Sequence, residues 1–188
     1  MGIKRRNKEV ELAVEHYSTM LYVCKANVCS QCPLKLYAKE DDKIILGTGN
    51  IMTSAIMILP SYDVKAGIGY STILKILQDA YKDITGMELL EDYYVTRSVK
   101  CLNKTDFNLE KDAIKSCIKN LSYEISRIRP RKIIIFDKFL YDFISANYTI
   151  IFPKIYQVVN PGVMYYDNYN LKNLFMKQLK EAINNNDT

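Results

Sequence analysis

A single histidine, His16, serves the whole chain of 188 residues. It falls among helix-spaced residues near the N-terminus and reads as a packing or surface residue, so the rest of the chain has no imidazole at all. Long apolar runs are also missing. Nothing approaches the roughly twenty residues that a membrane-spanning helix needs, so the 48% apolar content is assigned to a core and no membrane partner is expected. No secretory signal is recognisable ahead of the cysteines, which makes a disulfide framework the weakest use for them and points to the cytoplasm. Gly47 and Gly49 are not followed by the GK[ST] of a phosphate loop and mark a turn instead. With no internal repeat and no linker, residues 1–188 read as one domain, long enough to bury a normal core.

The formal charge is +5. That permits an anionic partner such as DNA without requiring one. Fifteen tyrosines offer stacking surfaces, most of them for packing.

Residues 1–27 contain a basic tail and then apolar residues at helical spacing from about Lys8 to Cys24, which predicts an N-terminal helix ahead of a core over 28–184. Ala55 to Leu59 is a short apolar run stopped by Pro60 and predicts a buried parallel strand. A loop over 60–69 feeds a helix from Tyr70 to Tyr81. Further strands are predicted at Tyr93–Thr96, Lys132–Phe136 and Ile155–Val159, with helices at Leu109–Ile128, Lys138–Ala146 and Asn168–Asn184. Strands alternating with helices imply a three-layer α/β/α fold around a four-stranded, mainly parallel sheet. Open sheets of this kind bind ligands beyond the carboxyl ends of their strands. Those ends carry Ser61, Tyr62 and Asp63, then Arg97, then Asp137 and Lys138, then Asn160.

Cys29 and Cys32 form a Cys-x2-Cys pair, and Cys101 and Cys117 follow with fifteen residues between them. Four thiolates suffice to close a tetrahedral zinc site or to hold a [4Fe–4S] cluster. Spacing alone leaves iron–sulfur, zinc and plain buried thiols open. Cys24 reads as a buried or spare thiol.

The order CSQCPL, LGTGN, a strand, YVTRSVKC, a further cysteine and RIRPRKIIIFD resembles the family 4 uracil-DNA glycosylases, over roughly Val28 to Asn184. The resemblance implies a uracil-DNA glycosylase-like fold, DNA as partner, a monomer, and a [4Fe–4S] cluster on Cys29, Cys32, Cys101 and Cys117. It also locates the departures from the family's pattern. The acidic loop after the first strand reads Pro60-Ser61-Tyr62-Asp63-Val64. The loop that carries a uracil-stacking aromatic is shortened to Lys65–Gly69, leaving Tyr62 or Tyr70 as substitutes. The base-reading asparagine is replaced by Arg97, and the His-Pro dipeptide appears as Asn160-Pro161.

A glycosylase flips a nucleotide, weakens its N-glycosidic bond and lets water attack an oxocarbenium-like sugar. Asp63 or Asp137 is therefore assigned to the sugar cation or the water, Asn160 to the leaving base, and Ser61, Tyr62, Tyr70 and Arg97 to substrate. Lys100, Lys104, Lys138 and Lys154 are candidate phosphate contacts, and Tyr165-Tyr166 a candidate wedge. The altered pocket implies a glycosylase for a bulkier, modified or glycosylated pyrimidine, with a role in defence against viral DNA as one biological setting. The alternatives are a catalytically inactive DNA-binding or replication-associated protein, and a divergent uracil-DNA glycosylase.

Overall fold

The computed structural model describes residues 32, 47–63, 65–101, 107–147 and 153–185. The expected helix over 1–27, with His16 and Cys24, lies outside the described residues, as do Cys29 and Lys104.

In chain order the elements are β1 (Thr48–Gly49), β2 (Ala55–Leu59), β3 (Tyr62–Asp63), β4 (Ile68–Gly69), α1 (Tyr70–Thr85), α2 (Leu89–Asp92), β5 (Tyr94–Arg97), α3 (Phe107–Ile128), β6 (Lys132–Ile135), α4 (Lys138–Asn147), β7 (Lys154–Gln157), a 3-10 turn (Pro161–Tyr165) and α5 (Tyr169–Asn184). Among the described residues the main sheet has five strands in the order β1-β5-β2-β6-β7, and β3 and β4 form a separate two-stranded ribbon. β5, β2, β6 and β7 run parallel, while β1 adds an antiparallel edge.

Pleat geometry turns successive strand residues to opposite faces. Met57, Leu59, Val95 and Ile134 pack with α1 and α5, and Ile56, Ile58, Ile133 and Ile135 pack with α3 and α4. This is the three-layer arrangement, and it explains why β2 and β6 read as unbroken apolar runs: both of their faces are covered. Each fully buried Ile or Leu there contributes about 1.5–3 kcal/mol.

The helix ends follow local chemistry. α1 ends at Gly86, whose φ of 74° is left-handed and whose N–H donates to the Lys82 carbonyl. α5 begins at Asn168, whose side chain accepts from the Leu171 N–H. Lys132 closes the other end of α5, donating from Nζ to the carbonyls of Ala182 (3.0 Å) and Ile183 (3.2 Å).

The expected four-stranded sheet is corrected to five strands by β1. A two-residue strand has no periodicity to read, and its glycines resemble a turn. Gly49, with φ at 103°, brings its backbone so close to β5 that a Cβ would stand 2.3 Å from the Tyr93 carbonyl oxygen. The expected loop over 60–69 likewise holds the β3–β4 ribbon, paired Tyr62 to Gly69 and Asp63 to Ile68. No described helix is long and apolar enough to cross a membrane.

Candidate active site at the carboxyl ends of the strands

A cavity of about 460 Å³ opens where β2, β6 and β7 end, lined in part by Tyr62, Asp63, Asp137, Gln157, Asn160 and Tyr166. Pro60, Phe136, Phe139 and Val159 give it apolar walls, and Lys65 and Lys138 stand at it too. A few convergent polar groups on an apolar lining at the carboxyl end of a parallel sheet make the usual form of a ligand site. A second cavity, about 540 Å³, lies at the opposite end of the sheet around Thr53, Asp92 and Arg131. Its carboxylate, Asp92, is already engaged by the Tyr81 hydroxyl at 2.7 Å.

Asp63, 4% exposed, leaves the β3–β4 ribbon pointing at the turn after β7. Its Oδ2 accepts from Asn160 Nδ2 at 2.9 Å, its Oδ1 from the Ala66 N–H at 2.9 Å, and the Tyr166 hydroxyl lies 2.8 Å from both oxygens. Asn160 in turn accepts the Gly162 N–H at 2.9 Å through Oδ1. The close approach requires Gly162, where a Cβ would stand 2.1 Å from Asp63 Oδ2. Burial first, and then the Asp63 carboxylate, hold the Tyr166 phenol above its ordinary pKa, so it remains a donor. The Lys65 ammonium sits 4.4 Å over the Tyr166 ring.

Asp137 differs. It follows β6 and caps α4, with Oδ1 accepting the Leu140 N–H at 2.9 Å. Burial pushes its carboxyl above the ordinary carboxylate value, opposed by the N–H groups of Leu140 and Phe139. Among the described residues no side chain hydrogen-bonds to it, so it faces the cavity with more accepting capacity than Asp63 retains.

Tyr62, Asp63, Asp137 and Asn160, chosen from the sequence, thus meet in one cavity, with Lys138 beside them. Lys138 is largely exposed and pairs with Asp142 at 3.1 Å. Tyr165 is 60% exposed, whereas its neighbour Tyr166 turns inward to Asp63.

Four assignments are corrected. Ser61 is buried and knits two strand exits together, donating to the Val99 carbonyl at 2.8 Å and accepting the Val99 N–H at 3.2 Å. Tyr70 is buried on α1, and Arg97 lies over its ring at 4.0 Å, 2% exposed and outside the cavity. Lys100 is also 2% exposed and is held by Glu124 and Thr96 rather than offered to phosphates. Glu124, fully buried, further accepts from Tyr94 (3.0 Å), Thr96 (2.8 Å) and the Gly47 N–H (3.2 Å). A charge this deep is compatible with folding only when paired.

Pro60, Lys65, Phe136, Phe139, Gln157 and Val159 line the cavity without a role assigned from the sequence, and Tyr166, expected with Tyr165 as a wedge, turns into the cavity instead. Gln157 and Phe139 had a usable signal, since each stands within two residues of a predicted strand or helix boundary. Nothing local distinguishes Tyr166 from Tyr165.

Cys117, on α3, is buried in the apolar cluster beneath that helix, and Cys32 and Cys101 pack against the same cluster. The fold therefore draws three of the four expected ligands to one side of the sheet. Among the described residues no group of three or more His, Cys, Asp or Glu stands at metal-binding distance; the fourth cysteine, Cys29, is outside them. In a metal centre the donors would be thiolates, as zinc or a [4Fe–4S] cluster requires, and the buried Arg97 comes four residues before Cys101.

No protein-family model matches this chain, and no curated protein matches it either.

Proposed function

We propose that this protein is a DNA glycosylase of the uracil-DNA glycosylase type that releases a flipped pyrimidine bulkier than uracil, acting as a cytoplasmic monomer. The observation that carries the reading is Asp137, a half-buried carboxylate of raised pKa in a 460 Å³ cavity at the carboxyl ends of a parallel sheet. A base-excising enzyme needs a carboxylate beside the sugar to support the oxocarbenium-like centre or orient the attacking water. Asp137 serves that role better than Asp63, whose oxygens are occupied by Asn160, Tyr166 and Ala66.

Gln157 carries both a donor and an acceptor, the pair needed to read a pyrimidine edge, which Arg97 cannot supply. Phe136 and Phe139 offer apolar surface to the base. Asn160 keeps one amide hydrogen beyond the one given to Asp63 and donates it to the departing base. Lys65 and Lys138 meet the DNA backbone. Cys29, Cys32, Cys101 and Cys117 would hold a [4Fe–4S] cluster, which supplies a structural staple between the N-terminal segment and α3. A role in defence against DNA with modified bases follows from the substrate class.

A second reading, a DNA-binding protein without catalysis, is favoured by the mutual satisfaction of Asp63 and Asn160, which leaves the two positions most like the family's pocket engaged with each other.

The deciding experiment measures abasic sites in DNAs containing uracil, hydroxymethylcytosine, glucosylated hydroxymethylcytosine or unmodified bases, with Asp137→Asn as control. Release from one modified DNA, lost in the variant, is expected. Release from uracil DNA alone makes the protein a divergent uracil-DNA glycosylase. Silence on every DNA, with salt-sensitive binding retained, establishes the binding protein.

A further inference from the structure

Three exposed arginines, Arg127, Arg129 and Arg131, stand within one short stretch where α3 ends and β6 begins. This turn lies at the amino ends of the strands, so the length of β6, about 13 Å for its four residues, separates it from the candidate active site. Arg127 and Arg129 line a cavity of about 500 Å³ together with Tyr123 and Ser126. Arg131 lines the 540 Å³ cavity, whose carboxylate Asp92 is held by Tyr81. Among the described residues no carboxylate forms an ion pair with Arg129 or Arg131.

Arg129 is also strained. Its φ of 52° makes it the one non-glycine residue with a positive φ among those described. Its N–H donates to the Ile125 carbonyl and closes α3, a place that glycine or asparagine fills with less strain. Pro130 biases the residue before it toward extended backbone, which sharpens the conflict. The arginine side chain is exposed and adds nothing to the core. Strain held at an exposed, charged residue points to a use for the charge.

The chemistry narrows the partner. A guanidinium presents a planar fork that matches phosphate oxygens. Here three forks are spread along the turn and divided between two cavities, which suits successive phosphates of one strand better than a single small anion. Tyr123, beside Arg127 and Arg129, offers a ring on which an unpaired base stacks; a base inside a duplex has no free face to give it. We infer that this turn binds a single-stranded nucleic acid, with backbone phosphates on Arg127, Arg129 and Arg131 and one base on Tyr123. It is a second nucleic-acid surface, and it does not depend on the reading proposed for the cavity.

The test measures binding of a fluorescent oligothymidylate to the full chain across a salt series, beside a duplex of the same length and vesicles of anionic lipid. Arg129→Gly is expected to melt at or above the parent's Tm, because glycine relieves the backbone. It should nevertheless bind the single strand more weakly, with the slope of log affinity against log salt shallower by about 0.7. Arg131→Gln should lose a similar increment, and Tyr123→Leu should weaken binding roughly fivefold or more with the slope unchanged. The loss on removing Arg129 should be equally large in a Lys138→Ala background, since distant sites add. A folded Arg129→Gly protein that binds the single strand as the parent does overturns the inference, as does a parent without affinity for that strand at low salt. So does a loss confined to the duplex or to the vesicles, which would make the turn a duplex or membrane contact. If Tyr123→Leu does not fold, the two arginine variants decide.

Discussion

The Tyr166 hydroxyl lies 2.8 Å from each carboxylate oxygen of Asp63, across a sequence separation of 103 residues. One phenol proton is shared between two acceptors, and Asn160 and the Ala66 N–H complete the shell. Hydrogen bonds to an ionised group contribute about 1.5–3 kcal/mol each, so this carboxylate ties the β3–β4 ribbon to the turn after β7 and shapes one wall of the cavity.

Gly162 is where that tie admits least change. In Gly162→Ala the added methyl displaces Asp63 Oδ2, at an expected cost of about 1–3 kcal/mol. The same substitution in an Asp63→Ala background should cost much less, because the obstructing carboxylate is gone. Urea unfolding of the four proteins measures the coupling; additive effects would show that Asp63 does not abut Gly162.

Lys100 and Glu124 form a fully buried pair, 2% and 0% exposed. Lys100→Met strands the carboxylate and should destabilise by about 3–5 kcal/mol, whereas Lys100→Met with Glu124→Gln should recover much of the loss. DNA affinity, measured on the folded fraction, should not change with Lys100, in contrast to Lys138→Ala at the cavity mouth. A steep loss of affinity in the Lys100 variant, with stability unaltered, would return that lysine to the surface.

Asp137 couples stability to pH with a definite sign. Its folded pKa is raised by burial, so the folded state holds the proton more tightly than the unfolded chain does. Its contribution is greatest below the ordinary aspartate value, about 4, and is lost as pH rises through the raised folded value. Asp137→Asn keeps an acceptor for the Leu140 N–H and should make the protein more stable than the parent at neutral pH, with the advantage vanishing near pH 3. Base release, by contrast, should rise with pH as Asp137 ionises and be absent in the variant. Equal stability of the two proteins across the pH range would refute the burial argument.

Part of the site was legible locally. Asp63, Asp137 and Asn160 follow strands whose apolar runs end in a proline, a helix start and a turn, and the carboxyl ends of parallel strands face one crevice. Arg97 and Ser61 occupy equivalent places yet turn inward. Whether a strand-end side chain enters the cavity or the core depends on the twist of the sheet and on what packs above it, which no run of neighbouring residues encodes. Arg97 meets Tyr70 from α1, and Ser61 meets the backbone of Val99.

The sequence by itself determined β2 and β6, the long helices, and the two-faced burial that makes three layers, although it ended the first of those helices at Tyr81 where the structure carries it to Thr85. Those features follow from periodicity and local backbone preference, which act over a few residues. Only the tertiary structure decided that β1 joins as an antiparallel edge, that Lys100 belongs to Glu124 rather than to a phosphate, and that Tyr166 rather than Tyr165 holds Asp63. Each depends on a partner brought from far along the chain: burial fixes the fate of a charge or a hydroxyl only once that partner arrives.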